Sequence, residues 1–153
     1  MNLTEIPEIV TWPETHYVYI EKIGPFQETA RQAWTEMGSL IPSLSKSEKI
    51  TGRMTLYKME PEKMTYRAGV ALARRPSKLP AGLQYEKFKG GKYSCFVLTG
   101  PYSDLPMACG RVFDIVEETK MKLREDFNIE HYANDPETTP EDLLITEILI
   151  PTA

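Results

Sequence analysis

Tyr17-Val-Tyr-Ile-Glu-Lys-Ile-Gly-Pro-Phe-Gln27 and Tyr93-Ser-Cys-Phe-Val-Leu-Thr-Gly-Pro-Tyr-Ser103 read as two versions of one segment. Tyr17, Gly24 and Pro25 recur as Tyr93, Gly100 and Pro101, and Phe26 recurs as Tyr102, all at one constant spacing. Further along, Tyr57, Pro61 and Glu62 recur as Tyr132, Pro136 and Glu137 at a spacing one residue shorter. Two blocks in the same order, with nearly equal spacing, predict an internal duplication. Each copy begins with a strand rich in aromatic and β-branched residues and is stopped by Gly-Pro.

A helix is expected after each Gly-Pro. Ala30, Ala33, Trp34, Met37, Leu40 and Ile41 fall on one helical face, and Leu105, Cys109, Val112, Phe113 and Val116 do the same in the second copy. Pro42 is expected to close the first helix. Strand pairs come next, residues 52–58 with 66–72 and 129–133 with 143–150. Residues 83–88 read as a further strand, joined to Tyr93 by a Gly90-Gly91 hairpin turn, with 6–12 as its counterpart before Tyr17. The expectation is an α+β fold: a strand-helix-strand-strand unit in tandem, antiparallel sheet, two helices on one side, and a cleft between the halves. Residues 1–153 form a single domain, with repeat 1 over about 6–72, a hinge over 73–82, and repeat 2 over about 83–151.

Composition narrows the functional classes. At 153 residues, 41% hydrophobic and 26% charged, the chain is long enough for one core and is neither disordered nor fibrous. No apolar run reaches membrane-spanning length, and the N-terminus has no signal-peptide pattern, so a cytoplasmic protein is expected. With Lys+Arg 18 against Asp+Glu 22 the net charge is −4, which argues against direct nucleic-acid binding. Cys95 and Cys109 read as two small buried thiols of a reducing compartment, although the sequence leaves a disulfide open. No metal or cofactor is expected: no His or Cys pair has ligand spacing, and Asp135, Glu137, Glu141 and Asp142 lack the glycine of a calcium loop. There is no Gly-x-Ser-x-Gly elbow, and Gly90-Gly91-Lys92 does not have phosphate-loop spacing.

Two positions break the repeat. Trp34 corresponds to Gly110, so the indole either fills core or forms one aromatic wall of a groove. Glu130 corresponds to Thr55, so only one copy carries the carboxylate. Strand alternation puts Glu130, Tyr132 and Asn134 on one face and Ile129, His131 and Ala133 on the other. The pattern alone allows a solvent-facing glutamate or one buried toward an aromatic cleft. In the latter case a cationic ligand, or a need for a raised-pKa acid or base, would account for it.

Together, the Tyr-x(6)-Gly-Pro-aromatic turn, the Gly-Gly-Lys-Tyr segment, Ile-Glu-His-Tyr-x-Asn-Asp-Pro-Glu and the closing Thr-Glu-Ile-Leu-Ile-Pro resemble the GyrI-like family over about 17–151. That family includes effector-binding domains of bacterial multidrug-responsive activators and stand-alone gyrase-inhibitory proteins. The resemblance implies a pocket for lipophilic, cationic or planar aromatic compounds, anchored by Glu130 and lined by Trp34, Tyr57, Tyr93, Thr55, Met54 and Tyr132. The regulators carry a DNA-binding segment before this domain and this chain carries none, so a stand-alone binding protein is expected. The resemblance also implies two alternatives: a hydrolase of electrophilic compounds such as cyclopropane-bearing alkylators, with Glu130 catalytic, or an inhibitor or protector of a partner enzyme such as DNA gyrase.

Overall fold

The structure, a computed structural model, describes residues 1–153. Nine strands and two α-helices lie along the chain in the order β1 (Asn2–Leu3), β2 (Glu8–Trp12), β3 (Thr15–Ile23), α1 (Phe26–Ser45), β4 (Ile50–Met59), β5 (Met64–Leu72), β6 (Gln84–Phe88), β7 (Gly91–Thr99), α2 (Leu105–Glu118), β8 (Asn128–Tyr132) and β9 (Ile145–Pro151). The fold is α+β, and β1 and β2 on β7, β3 on β5 and β6, β4 on β5, and β9 on β7 and β8 are all antiparallel pairs. The sequence strand, helix, strand, strand occurs twice, as β3-α1-β4-β5 and β7-α2-β8-β9. No helix is long and apolar enough to cross a membrane.

The chain divides into two compact units, Pro13–Gly90 and a second formed by Met1–Trp12 with Gly91–Ala153. In the first, the strand order is β4-β5-β3-β6, with α1 packed on β3 and β5. In the second, β8 pairs β9, β9 pairs β7, and both β1 and β2 pair β7. There α2 closes a core of Phe96, Leu98, Ala108, Val112, Ile115, Ile148 and Ile150, all buried.

Two expectations are corrected. Residues 83–88 do not form a hairpin with the strand at Tyr93: β6 pairs β3, from Thr15↔Phe88 to Tyr19↔Gln84. The place beside β7 is taken by β2, with Trp12 opposite Gly91 and Val10 opposite Tyr93. Each strand that precedes a β3- or β7-type strand in the chain thus pairs with the other one. Gly91 has φ 131, and a Cβ there would stand 2.9 Å from Arg124 Nη2. Its glycine therefore admits the arginine rather than a tight turn. The unit boundaries fall at 12/13 and 90/91, and the pairing of β6 with β3 places residues 73–82 within the first unit.

Nor does Pro42 end α1, which runs to Ser45. The proline lies in the last turn, and the carbonyl that loses its donor belongs to Gly38, which is exposed and can bond water. One more glycine is fixed by contact. Tyr17 lies across Gly69, where a Cβ would meet Tyr17 Cζ at 2.5 Å and Val18 O at 2.6 Å. The Tyr17 hydroxyl can then reach the carbonyls of Met54, at 2.9 Å, and Arg67, at 3.1 Å.

Candidate functional site

In the second unit, the register of β8 on β9 sets the site. Glu130 pairs Ile148 and Tyr132 pairs Thr146, so Glu130, Tyr132 and the α2-facing core residues share one face. From α2, Cys109 Sγ donates to Glu130 Oε1 at 3.4 Å. From two residues along β8, the Tyr132 hydroxyl donates to Oε2 at 3.1 Å. The Tyr102 ring meets Tyr132 edge-on, centroids 5.4 Å apart and planes at 64°.

Burial raises the pKa of Glu130 above the ordinary carboxylate range, opposed by the Cys109 and Tyr132 hydrogen bonds. The residue is nevertheless only half-buried. The carboxyl is thus hemmed in by protein yet still reached by solvent. Its two donors are neutral, so any negative charge there has no protein cation bonded to it.

The first unit has a corresponding cluster of different chemistry. Trp34 Nε1 on α1 donates to Thr55 Oγ1 at 3.1 Å and to the Tyr66 hydroxyl at 3.0 Å, and those two oxygens lie 3.1 Å apart. Phe26 packs against Tyr57 and Tyr66, with centroid distances of 5.6 Å in each case. Trp34, Thr55 and Tyr57 are therefore brought together, as are Glu130 and Tyr132.

Two expected lining residues point elsewhere. Met54 neighbours Thr55 on β4 and takes the opposite face, that of Tyr17 and Tyr19. Tyr93 takes the face of β7 that also carries Cys95, opposite to Glu130. It is fully buried, its hydroxyl donates to Phe127 O at 2.7 Å, and the Arg124 guanidinium stands 5.0 Å from the ring centroid. Burial raises its pKa well above the phenol range. The same face carries His131 Nδ1, 2.6 Å from Glu147 Oε1, with the Trp12 ring edge-on to His131 at 5.2 Å.

Sequence reading missed Cys109, Tyr66 and Phe26 as site residues. Cys109 was visible on the apolar face of α2, but which helix residue meets which strand residue depends on a packing that spacing does not give. Phe26 did carry a signal, since it aligns with Tyr102 in the duplication the sequence predicts.

A family model described as the GyrI-like small molecule binding domain matches residues 6–153. The chain belongs to the GyrI-like family. Solved GyrI-like structures agree in fold. The EcmrR C-terminal domain superposes with a TM-score of 0.78 at 16% identity, covering 100% of this chain and 99% of that one. SAV2435 bound to tetraphenylphosphonium gives 0.73 at 17% identity, covering 96% and 93%. EcmrR in its DNA complex gives 0.76 at 18% identity and 97% coverage, and the chain spans 57% of that protein's length. Among curated protein sequences none is significantly similar.

Proposed function

We propose that this GyrI-like protein binds a lipophilic cation and that Glu130 is the polar anchor. The observation that carries this is a half-buried carboxyl whose only hydrogen-bond partners are a thiol and a phenol. Ionising it in that setting is costly without a counter-charge, and a ligand cation supplies one. The Tyr132 ring, whose hydroxyl is bonded to Glu130 and which Tyr102 meets edge-on, is the aromatic surface proposed for a soft cation, a contact worth about 0.5 to 2 kcal/mol when desolvated. The phosphonium-bound relative, SAV2435, supports the ligand class and supplies the probe.

The experiment is calorimetric titration of the full chain with tetraphenylphosphonium, wild type against Glu130→Gln. Replacing the carboxylate by a neutral isostere should weaken binding at least about tenfold, the equivalent of ~1.4 kcal/mol. Equal affinity in the two proteins removes Glu130 from the anchor role. Tyr132 belongs to the same site. Trp34, Thr55 and Tyr57 form a separate polar and aromatic cluster within the first unit, and Trp34→Ala in the same titration tests whether that cluster takes part in binding.

A further inference from the structure

The Glu130 carboxyl touches a nucleophile. Cys109 is half-buried, is not in a disulfide, and has its sulfur 3.4 Å from Glu130 Oε1. The carboxyl is in turn held on its other oxygen by the Tyr132 hydroxyl at 3.1 Å. A nucleophile, a base within hydrogen-bond reach and a third group that orients the base form the constellation used for covalent chemistry. The other thiol also meets a carboxyl, Cys95 Sγ donating to Glu147 Oε2 at 3.7 Å with His131 on Oε1, but it is buried whereas Cys109 is half-buried. Cys95 is buried on the opposite sheet face, where burial and Glu147 push it up to about 12, so it serves as an internal reference.

We propose that Cys109 captures soft electrophiles of the α,β-unsaturated carbonyl class as stable thioethers, with Glu130 as its base and Tyr132 as the positioning residue. As the sulfur bonds to the β-carbon, the S–H proton passes to Glu130 Oε1. The π pair of the alkene moves to the α-carbon, which then receives that proton from Glu130. The net step is addition of S–H across C=C, balanced with no further reactant and with the carboxylate regenerated. A neighbouring carboxylate disfavours a standing thiolate, so the proton leaves the sulfur only during attack, onto the ionised form of Glu130. Burial brings the proton affinity of the carboxyl closer to that of a thiol, which eases the transfer.

This inference uses the Glu130 of the proposed binding site but requires no bound cation. The test is to incubate the full chain with methyl vinyl ketone from pH 6.5 to 8.5, follow adducts by intact mass, and map them by peptide digestion. A single adduct on Cys109 is expected, formed at least about tenfold faster than on Cys95. Glu130→Gln should slow it at least about tenfold, and the residual rate should climb with pH as hydroxide replaces the missing base. Tyr132→Phe, which keeps the carboxyl, should slow it by a smaller factor, and it stands in if Glu130→Gln fails to fold. Reaction of Cys109 no faster than Cys95, or no slowing in either variant at any pH, overturns the proposal. Phosphonium binding by a wild type whose Cys109 is inert sinks this inference alone. A reactive Cys109 in a protein that binds no phosphonium sinks only the cation reading.

Discussion

Thr55 and Glu130 occupy the same place in two similar frames, and the two differ in what surrounds them. Both lie on the strand after the helix, two residues before a tyrosine, and in both units that tyrosine meets an aromatic residue just after the Gly-Pro edge-on. The pairs are Phe26 with Tyr57 at 80° and Tyr102 with Tyr132 at 64°. The difference starts on the helix. In the first unit Trp34 brings an indole N–H to the strand and the buried polar group is a hydroxyl. At the aligned helix position the second unit has Gly110, exposed, with nothing within 4 Å of where a Cβ would stand. The strand position then carries a carboxyl held by a thiol and a phenol. A satisfied hydroxyl network closes one cluster, whereas the carboxyl in the other still lacks a counter-charge.

A second contrast lies on the opposite sheet faces. Tyr17 lies over Gly69, which pairs Tyr19; at the corresponding register position of the second unit, Leu149 pairs Cys95. Glycine lets the ring lie flat and reach the carbonyls of Met54 and Arg67. With leucine in that place, the Tyr93 hydroxyl reaches Phe127 O instead. The largest expected effect tests this. Gly69→Ala places a methyl inside contact distance of both the Tyr17 ring and the Val18 carbonyl, so backbone must move. Urea unfolding should show a loss of about 3 kcal/mol or more, at the upper end for overpacking. A loss under about 1 kcal/mol would mean that Tyr17 has an alternative place.

Next in size is the indole network. Trp34→Phe keeps a ring but removes the donor to Thr55 and Tyr66, and should cost about 1.5 kcal/mol. In a double-mutant cycle with Thr55→Val, the coupling should be about 0.5 to 1 kcal/mol. Zero coupling would mean that the indole is not what satisfies this strand position.

These contrasts also show how far the sequence could be read. Tyr17 and Tyr93, the Gly-Pro stops, the helices and the Thr55–Glu130 difference are all visible because strand and helix periods are local. The face of Met54 was legible too: it adjoins Thr55 on one strand, and neighbours on a strand cannot share a face. The pairing of β2 with β7 and β6 with β3 was not legible. Gly90-Gly91 is a local hairpin signal, and the long-range pairing of β2 with β7 and of β6 with β3 overrides it. Cys109 beside Glu130 was hidden for the same reason, since the contact joins two elements whose relative rotation no spacing encodes.

The carboxyl itself gives the third prediction. The pKa of Glu130 is raised in the folded state, so the stability it contributes is present at acid pH, below the unfolded carboxyl value of about 4.3. That stability is lost as pH rises through the folded value. Glu130→Gln should therefore match wild type near pH 4 and exceed it by about 1 kcal/mol near pH 8, while its affinity for the phosphonium falls. Thermal melts across that range decide it. A variant less stable than wild type at pH 8 would show that the carboxylate is already well accommodated without a ligand.

The smallest effect has the opposite sign and comes from the other face of the same strands. Glu147 accepts from His131, and this bond, before the charge of the imidazole, holds its carboxyl below the ordinary range against the effect of burial. A lowered folded pKa contributes stability that is complete above the unfolded value and is lost as pH falls through the folded one. Both side chains keep about a third of their exposure, 26% for His131 and 32% for Glu147, so solvent screens the pair. Glu147→Gln should then cost about 0.5 kcal/mol at pH 6 and nothing near pH 3, a difference of roughly one or two degrees in Tm. Glu130→Gln and Glu147→Gln thus remove carboxyls from adjacent strands, and their stability differences from wild type should run in opposite directions with pH. If the two profiles ran parallel, the two faces would not differ electrostatically, and Glu130 would lose its claim to be the carboxyl that waits for a cation.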